Sequence, residues 1–291
     1  MALVGKAIAH GAITVINAIS CGLGAALGVS LETEATVKLT NEPGRIEGRI
    51  LSDPEESTIL IEKTVSRVLR CLDLECEFGA LVETKSNIPI ARGLKSSSAA
   101  ANAVTLAVLA ALREDVDDLT TVNLGVDAAL DAGVTITGAF DDACASYFGS
   151  IVVTDNYERR ILKHFHLDSE YPVLIFVPSR KAYTAESNVG KMRLIADEVK
   201  ALHRMAVLGD YWPAMTLNGL IYSATLECDA RIAMDALASG ALAAGLSGTG
   251  PAVAAVVPQD SISSVRAGWA GHAGETIETR VNTEKAHVVR R

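Results

Sequence analysis

Apolar and polar positions change their spacing several times along the chain, and each change marks a segment. Leu31 to Thr40 (LETEATVKLT) alternates polar and apolar residues, with Thr and Val favouring a half-buried strand. Asn41 to Gly44 (NEPG) is turn chemistry, so Ile46 to Leu51 reads as the returning strand of a hairpin. From Pro54 to Leu72, apolar residues recur at 59, 61, 65, 68, 69 and 72 behind Glu55 and Glu56, which predicts an amphipathic helix. Phe78 to Glu83 reads as a short strand. Ser86 to Lys95 is a loop holding Pro89 and Gly93. Ser96 to Leu112 predicts a helix of small residues buried on most sides, and Val122 to Ala132 a second one.

The rest of the chain repeats the mixture. Ser150 to Thr154 and Tyr171 to Val177 are apolar strands, and His164-Phe165-His166 alternates in the same way. Ala185 to Arg204, Tyr211 to Leu226 and Ile232 to Ala244 are helical, the last ending near Gly245. Leu246 to Pro251 is a glycine loop that leads into a buried strand, Ala252 to Val257. Beyond Thr276 the pattern fits a final strand or a loose end. There is no tandem repeat and no low-complexity linker. A soft boundary near Tyr157 to His164 predicts two αβ halves, residues 1–157 and 158–291.

Composition narrows the picture. Of 291 residues, 49% are hydrophobic and 21% charged, an ordinary globular balance. Aromatics are only 4%, so the core is expected from Ala, Val, Leu and Ile. Such small side chains let helices pack closely on a sheet, which favours an α/β chain. The net charge of -9 argues against a nucleic-acid surface, although backbone N–H groups can still hold a phosphate. Cysteines at 21, 71, 76, 144 and 228 match no zinc spacing and read as free thiols in a reducing cytoplasm. Met1 to Ser30 is apolar, but Lys6, His10 and Asn17 interrupt it, so no signal peptide is expected. No run of roughly 18 uninterrupted apolar residues predicts a membrane span. A cytoplasmic protein is expected.

Three segments carry candidate chemistry. In Pro89-Ile-Ala-Arg92-Gly93-Leu94-Lys95-Ser96-Ser97-Ser98-Ala99, a proline and a glycine set up a loop and serines open a helix. Serine caps helix starts, and the same unpaired N–H groups bind phosphate. One serine is enough for a cap, and three serines behind Arg92 and Lys95 exceed that need. In Leu246-Ser-Gly248-Thr249-Gly250-Pro251, glycine alternates with small polar residues before a strand. The loop is either a tight turn or a phosphate wrap. In Thr137-Gly-Ala-Phe-Asp141-Asp142-Ala-Cys144, two adjacent carboxylates sit among small and aromatic residues. They are either a helix start or a candidate base and its helper. A P-loop is absent: Gly190-Lys191 is followed by Met192, and residue 185 is Ala. The glycines at 22, 24 and 28 make no convincing dinucleotide fingerprint.

Together these segments resemble the GHMP kinases, whose members include galactokinase, homoserine kinase and mevalonate kinase. The family's phosphate motif, P-x-x-x-G-L-G-S-S-A-A, appears here as P-I-A-R-G-L-K-S-S-S-A. Gly5-Lys6-Ala-Ile-Ala-His10-Gly11 resembles its N-terminal motif and Leu246 to Val256 its glycine loop, in the family's order. Lys95 stands where most members carry glycine, and Ser98 where they carry alanine. With the Asp141-Asp142 segment, these departures are similar to the archaeal-type shikimate kinases.

The resemblance implies a ribosomal-protein-S5-like N-terminal domain, a ferredoxin-like C-terminal domain, and ATP with Mg²⁺ in the cleft between them. It implies transfer of the ATP γ-phosphoryl to the 3-hydroxyl of shikimate, feeding chorismate and aromatic amino acid synthesis. Another GHMP kinase, of the homoserine or mevalonate type, and a non-catalytic ligand sensor are the alternatives. Lys6, Ser97 and Asp141 together speak against a sensor. By the same resemblance, Gly93 to Ser98 cradle the β- and γ-phosphates and Ser97 contacts Mg²⁺, with Ser96 as helper. Asp141 is base or orienter, and Asp142 steadies it or reaches the metal. Asp131 stands near the family's metal-binding Glu. Lys6 neutralises charge near the transferred phosphoryl or supports Asp141. For the shikimate carboxylate, Arg92, Lys95, Arg180 and Lys181 are candidates, with Tyr183 nearby. Thr14 and Asn17 are candidates for its hydroxyls.

Overall fold

A computed structural model describes residues 3–167, 171–178 and 189–289. The chain opens with two long antiparallel strands, β1 (Val4–Ile16) and β2 (Leu23–Thr40). The sequence pattern shows only the second half of β2. The reason is burial on both faces. Along the paired segments, Ile13 and Leu27 point into one core cluster while Ala12 and Ala26 point into another. A strand covered on both sides loses its polar alternation and reads as a continuous apolar run.

β3 (Ile46–Ile50) is a strand, as expected, but it is not the return of a hairpin. It runs parallel to β4 (Gly79–Ser86), and β4 is inserted between it and β2. The helix α1 (Ile59–Cys71) makes the crossover, since parallel neighbours need a connection longer than a turn. α2 (Ser96–Leu112), α3 (Asp118–Asp131) and α4 (Phe140–Phe148) follow. Ala103, Ala107 and Ala111 of α2 and Ala7, Ala9 and Ala12 of β1 are all buried in one cluster, so small side chains bring helix and sheet together.

The hairpin β5 (Ile151–Asp155) and β6 (Arg160–Phe165) joins the same sheet, β5 pairing with Leu23–Leu27 of β2. The boundary expected at residues 157 and 158 therefore cuts a hairpin, and the sheets change only between Phe165 and Pro172. A second, antiparallel sheet has the order β10-β7-β9-β8, from β7 (Pro172–Pro178), β8 (Ala243–Leu246), β9 (Val253–Val256) and β10 (Gly274–Arg280). Ala243 and Ala244, read as the end of a helix, and Leu246, read as the start of the glycine loop, belong to β8. The helix α8 (Arg231–Ala238) stops at the Ser239-Gly240 turn, where Gly240 takes a positive φ. α5 (Val189–Arg193), α6 (Ala196–Leu208), α7 (Tyr211–Thr225) and α9 (Ile262–Trp269) complete the described helices, and β11 (His287–Val288) returns to β1. No described helix is long and apolar enough to cross a membrane.

Candidate active site

α2 begins at Ser96, the position expected from the sequence. Its first-turn N–H groups, from Ser96 to Ser98, have no partner within the helix. They open, with Gly93, Leu94 and Lys95, onto a cavity of 410 Å³. That volume falls in the range of small-molecule sites. Asn17, Asp141, Asp142, Gly248 and Thr249 line it too. A further group of lining residues comes from β3, β4 and the start of α1: Ile50, Thr84, Ser86, Ser57 and Ile59. No local pattern marks this second group, because single polar residues on a strand look like ordinary alternation.

The glycine loop is tied to the phosphate loop. Gly93 has φ +82, and a Cβ there would lie 2.0 Å from the Ser247 carbonyl oxygen. Only glycine allows this approach. The buried Ser247 hydroxyl donates to the Gly93 carbonyl at 2.7 Å and accepts the Thr14 N–H at 3.1 Å. Thr14 Oγ1 accepts the Gly248 N–H at 2.8 Å, and Asn17 Nδ2 donates to the Gly248 carbonyl at 2.8 Å. Gly250 N–H bonds the Ser247 carbonyl at 2.9 Å. The N–H groups of Gly248 and Gly250 are thus consumed inside the protein, which corrects the expectation that they bind phosphate. Thr14 does not line the cavity, so the structure makes it a clasp of the loop and not a ligand of substrate hydroxyls. Asn17 lines the cavity while serving the same clasp.

The two aspartates start α4. Asp141 is buried, and Lys95 Nζ lies 3.0 Å from Asp142 Oδ1. The contact is an ion pair, since that oxygen receives no well-directed hydrogen bond. Burial pushes Asp141 above the usual carboxylate range, with Lys95 and then Asn156 opposing the shift. Burial pushes Asp142 up to about 7, helped by the charge of Asp141 and opposed by Lys95. Asn156 Nδ2 donates to Asp141 Oδ1 at 2.7 Å. A Cβ at Gly24 would lie 2.4 Å from Asp141 Oδ2, so glycine makes room for the carboxylate. Both residues were missed in the sequence: Gly24 looked like part of a failed fingerprint, and Asn156 lies fifteen positions away on another element.

Two expected residues lie elsewhere. Lys6 pairs with Glu34 at 2.7 Å on the sheet and lines no part of the cavity. It sits opposite Thr36, whereas Asp141 packs against Gly24, on the order of 40 Å away along β2 at about 3.3 Å per residue. Lys95 takes the place next to the aspartates that Lys6 was expected to fill. Asp131 is held by Arg67 in a two-bond pair, 2.6 and 2.7 Å, which lowers the Asp131 carboxyl, and it too lies outside the cavity lining. Arg92 donates to the Pro178 carbonyl at 2.8 Å and its own carbonyl accepts the Ala252 N–H, so it anchors the loop to the second sheet. Pro89, Ala99 and Gly250 flank the cavity without lining it. Arg180, Lys181 and Tyr183 lie outside the described residues.

Among the described residues, no group of three His, Cys, Asp or Glu side chains comes together to hold a metal ion. A serine hydroxyl beside a phosphate cradle instead fits Mg²⁺, which is commonly held through nucleotide phosphates, water and few protein ligands. Ser97 lines the cavity in the first turn of α2.

A family model described as the GHMP kinases N terminal domain matches residues 60–150. The shikimate kinase of Methanosarcina mazei is 47% identical over 288 residues, covering 98% of this chain and 97% of its own. The shikimate kinase of Halobacterium salinarum is 42% identical, covering 94% of this chain and 96% of its own. In structure, the chain is similar to homoserine kinase from Cytophaga hutchinsonii, with a TM-score of 0.74, 17% identity, and coverage of 98% and 97% of the two chains. The fold and the near full-length identity together place this chain in the GHMP kinase family, within its group of shikimate kinases.

Proposed function

We propose that this chain transfers the γ-phosphoryl of ATP to the 3-hydroxyl of shikimate, giving shikimate 3-phosphate and ADP. One observation carries the reading: the α2 N-terminus, Lys95 and the Asp141-Asp142 pair all face one cavity in a chain 47% identical to a shikimate kinase. The N–H groups of Ser96 to Ser98 and the positive end of α2 hold the β- and γ-phosphates. Ser97 would hold Mg²⁺, which supplies charge neutralisation between the phosphates when bound. Magnesium is present with AMPPCP in a structure of MDDEF that shares the fold at a TM-score of 0.75.

Asp141 takes the proton of the acceptor hydroxyl or orients that hydroxyl. Burial makes its carboxylate a stronger proton acceptor than a solvated one. Lys95, beside the carboxylates, balances the charge that would otherwise repel the incoming phosphates. Positioning and charge compensation dominate phosphoryl transfer, so the Lys95 ammonium and the helix start contribute more than proton removal. The test is product analysis: proton–phosphorus correlation NMR of the reaction with shikimate and Mg·ATP. Coupling of the new phosphorus to the proton on carbon 3 supports the reading, and coupling at another carbon refutes its regiochemistry.

A further inference from the structure

We propose that Asn156 is a positioning residue, whose amide clamps the Asp141 carboxylate in the orientation that meets the acceptor hydroxyl. The inference rests on the role given above to Asp141. Asn156 is buried and grips the same aspartate twice. Its Oδ1 accepts the Asp141 backbone N–H at 3.2 Å, and its Nδ2 donates to Asp141 Oδ1 at 2.7 Å. A backbone N–H can only donate, so the amide oxygen must face it and the amide nitrogen must face the carboxylate. With the amide so oriented, the Thr154 hydroxyl donates to Asn156 Oδ1 at 2.7 Å and adds a second donor to that oxygen. On the other side, the bare Gly24 backbone walls in Asp141 Oδ2. The buried His203 ring, from α6, bonds the Thr154 carbonyl at 3.1 Å and fixes the strand that carries the clamp. The carboxylate is thus set by a relay of buried bonds from His203 through Thr154 and Asn156.

A plainer role is open to Asn156, because accepting the Asp141 N–H also caps the start of α4. The two roles differ in what they move. A cap affects stability alone, whereas a clamp affects the turnover number with nucleotide binding intact. The experiment compares N156D, T154V, T154S and D141N by kcat, the KM for ATP, the KM for shikimate and thermal midpoint. N156D keeps the shape and replaces the donor with an acceptor. We expect it to lose on the order of 10²-fold in kcat with an unchanged KM for ATP, as misplacement of a reacting group does. T154V is expected to lose about 3–10-fold, the effect of one hydrogen bond, and T154S to restore it. Wild-type kcat in N156D with only a lowered midpoint overturns the clamp and leaves a cap. If N156D does not fold, wild-type kcat in T154V overturns the relay in the same way. A rise in both KM values with kcat unchanged also overturns it. Wild-type turnover in D141N removes Asp141 from the mechanism, a different failure that the D141N arm reports separately.

Discussion

Lys95 Nζ lies 3.0 Å from Asp142 Oδ1, with only 10% and 13% of the two side chains exposed. The lysine that makes this contact stands in the left-handed region, at φ 62 and ψ 32. Glycine is the residue suited to that conformation, and glycine is what most GHMP kinases carry there. In this chain the residue in that conformation carries a cation that reaches the carboxylates.

The substitution K95G separates these two properties. It relieves a backbone cost of about 1 kcal/mol and removes the charge. We expect a folded protein that has lost about 10²–10³ in kcat, the range seen when one preorganised electrostatic donor is deleted. Steady-state kinetics with shikimate and Mg·ATP, beside a thermal melt, checks both halves.

Asp142 makes stability depend on pH. Its folded pKa, about 7, lies above its unfolded value of 3.8. The unliganded fold is therefore favoured while Asp142 is protonated, and that contribution is lost as pH rises from about 4 through 7. D142N removes the titration. In thermal melts without nucleotide, the wild type and D142N should agree near pH 4, and D142N should be the more stable at pH 8.

Thr14 tests the clasp between the loops. T14V keeps the shape but leaves the buried Gly248 N–H without its acceptor, at a cost of about 1–3 kcal/mol. Denaturant unfolding should show that loss. Thr14 lies outside the cavity, so the KM for ATP should rise only as far as the Gly93 loop shifts.

Lys6 and Asp131 provide the contrast. Each is in a half-exposed pair, Lys6 with Glu34 and Asp131 with Arg67, and surface pairs contribute about 0–1 kcal/mol. K6A and D131A should each retain near wild-type kcat. A large loss in K6A would return that lysine to the chemistry.

The sequence showed what is local and hid what is long-range. The serine run and the proline–glycine loop announced the start of α2 at Ser96, because helix starts have their own residue chemistry. β1 stayed hidden since both its faces are apolar. The β2–β4–β3 order was misread because a turn-like NEPG does not reveal that another strand will be inserted beside it. In the site, Lys95 and the aspartate pair were named from motifs, but the partnership between them was not. Thr14, Asn17, Gly24 and Asn156 act through partners that are distant in sequence, and no local pattern marks them.

The central claim is best tested by ADP release from Mg·ATP in a coupled assay, with shikimate, homoserine, mevalonate and galactose offered separately. Sustained turnover with shikimate alone is the predicted result. Turnover with another of these acceptors and none with shikimate would contradict the account, while leaving the fold and the phosphate cradle in place.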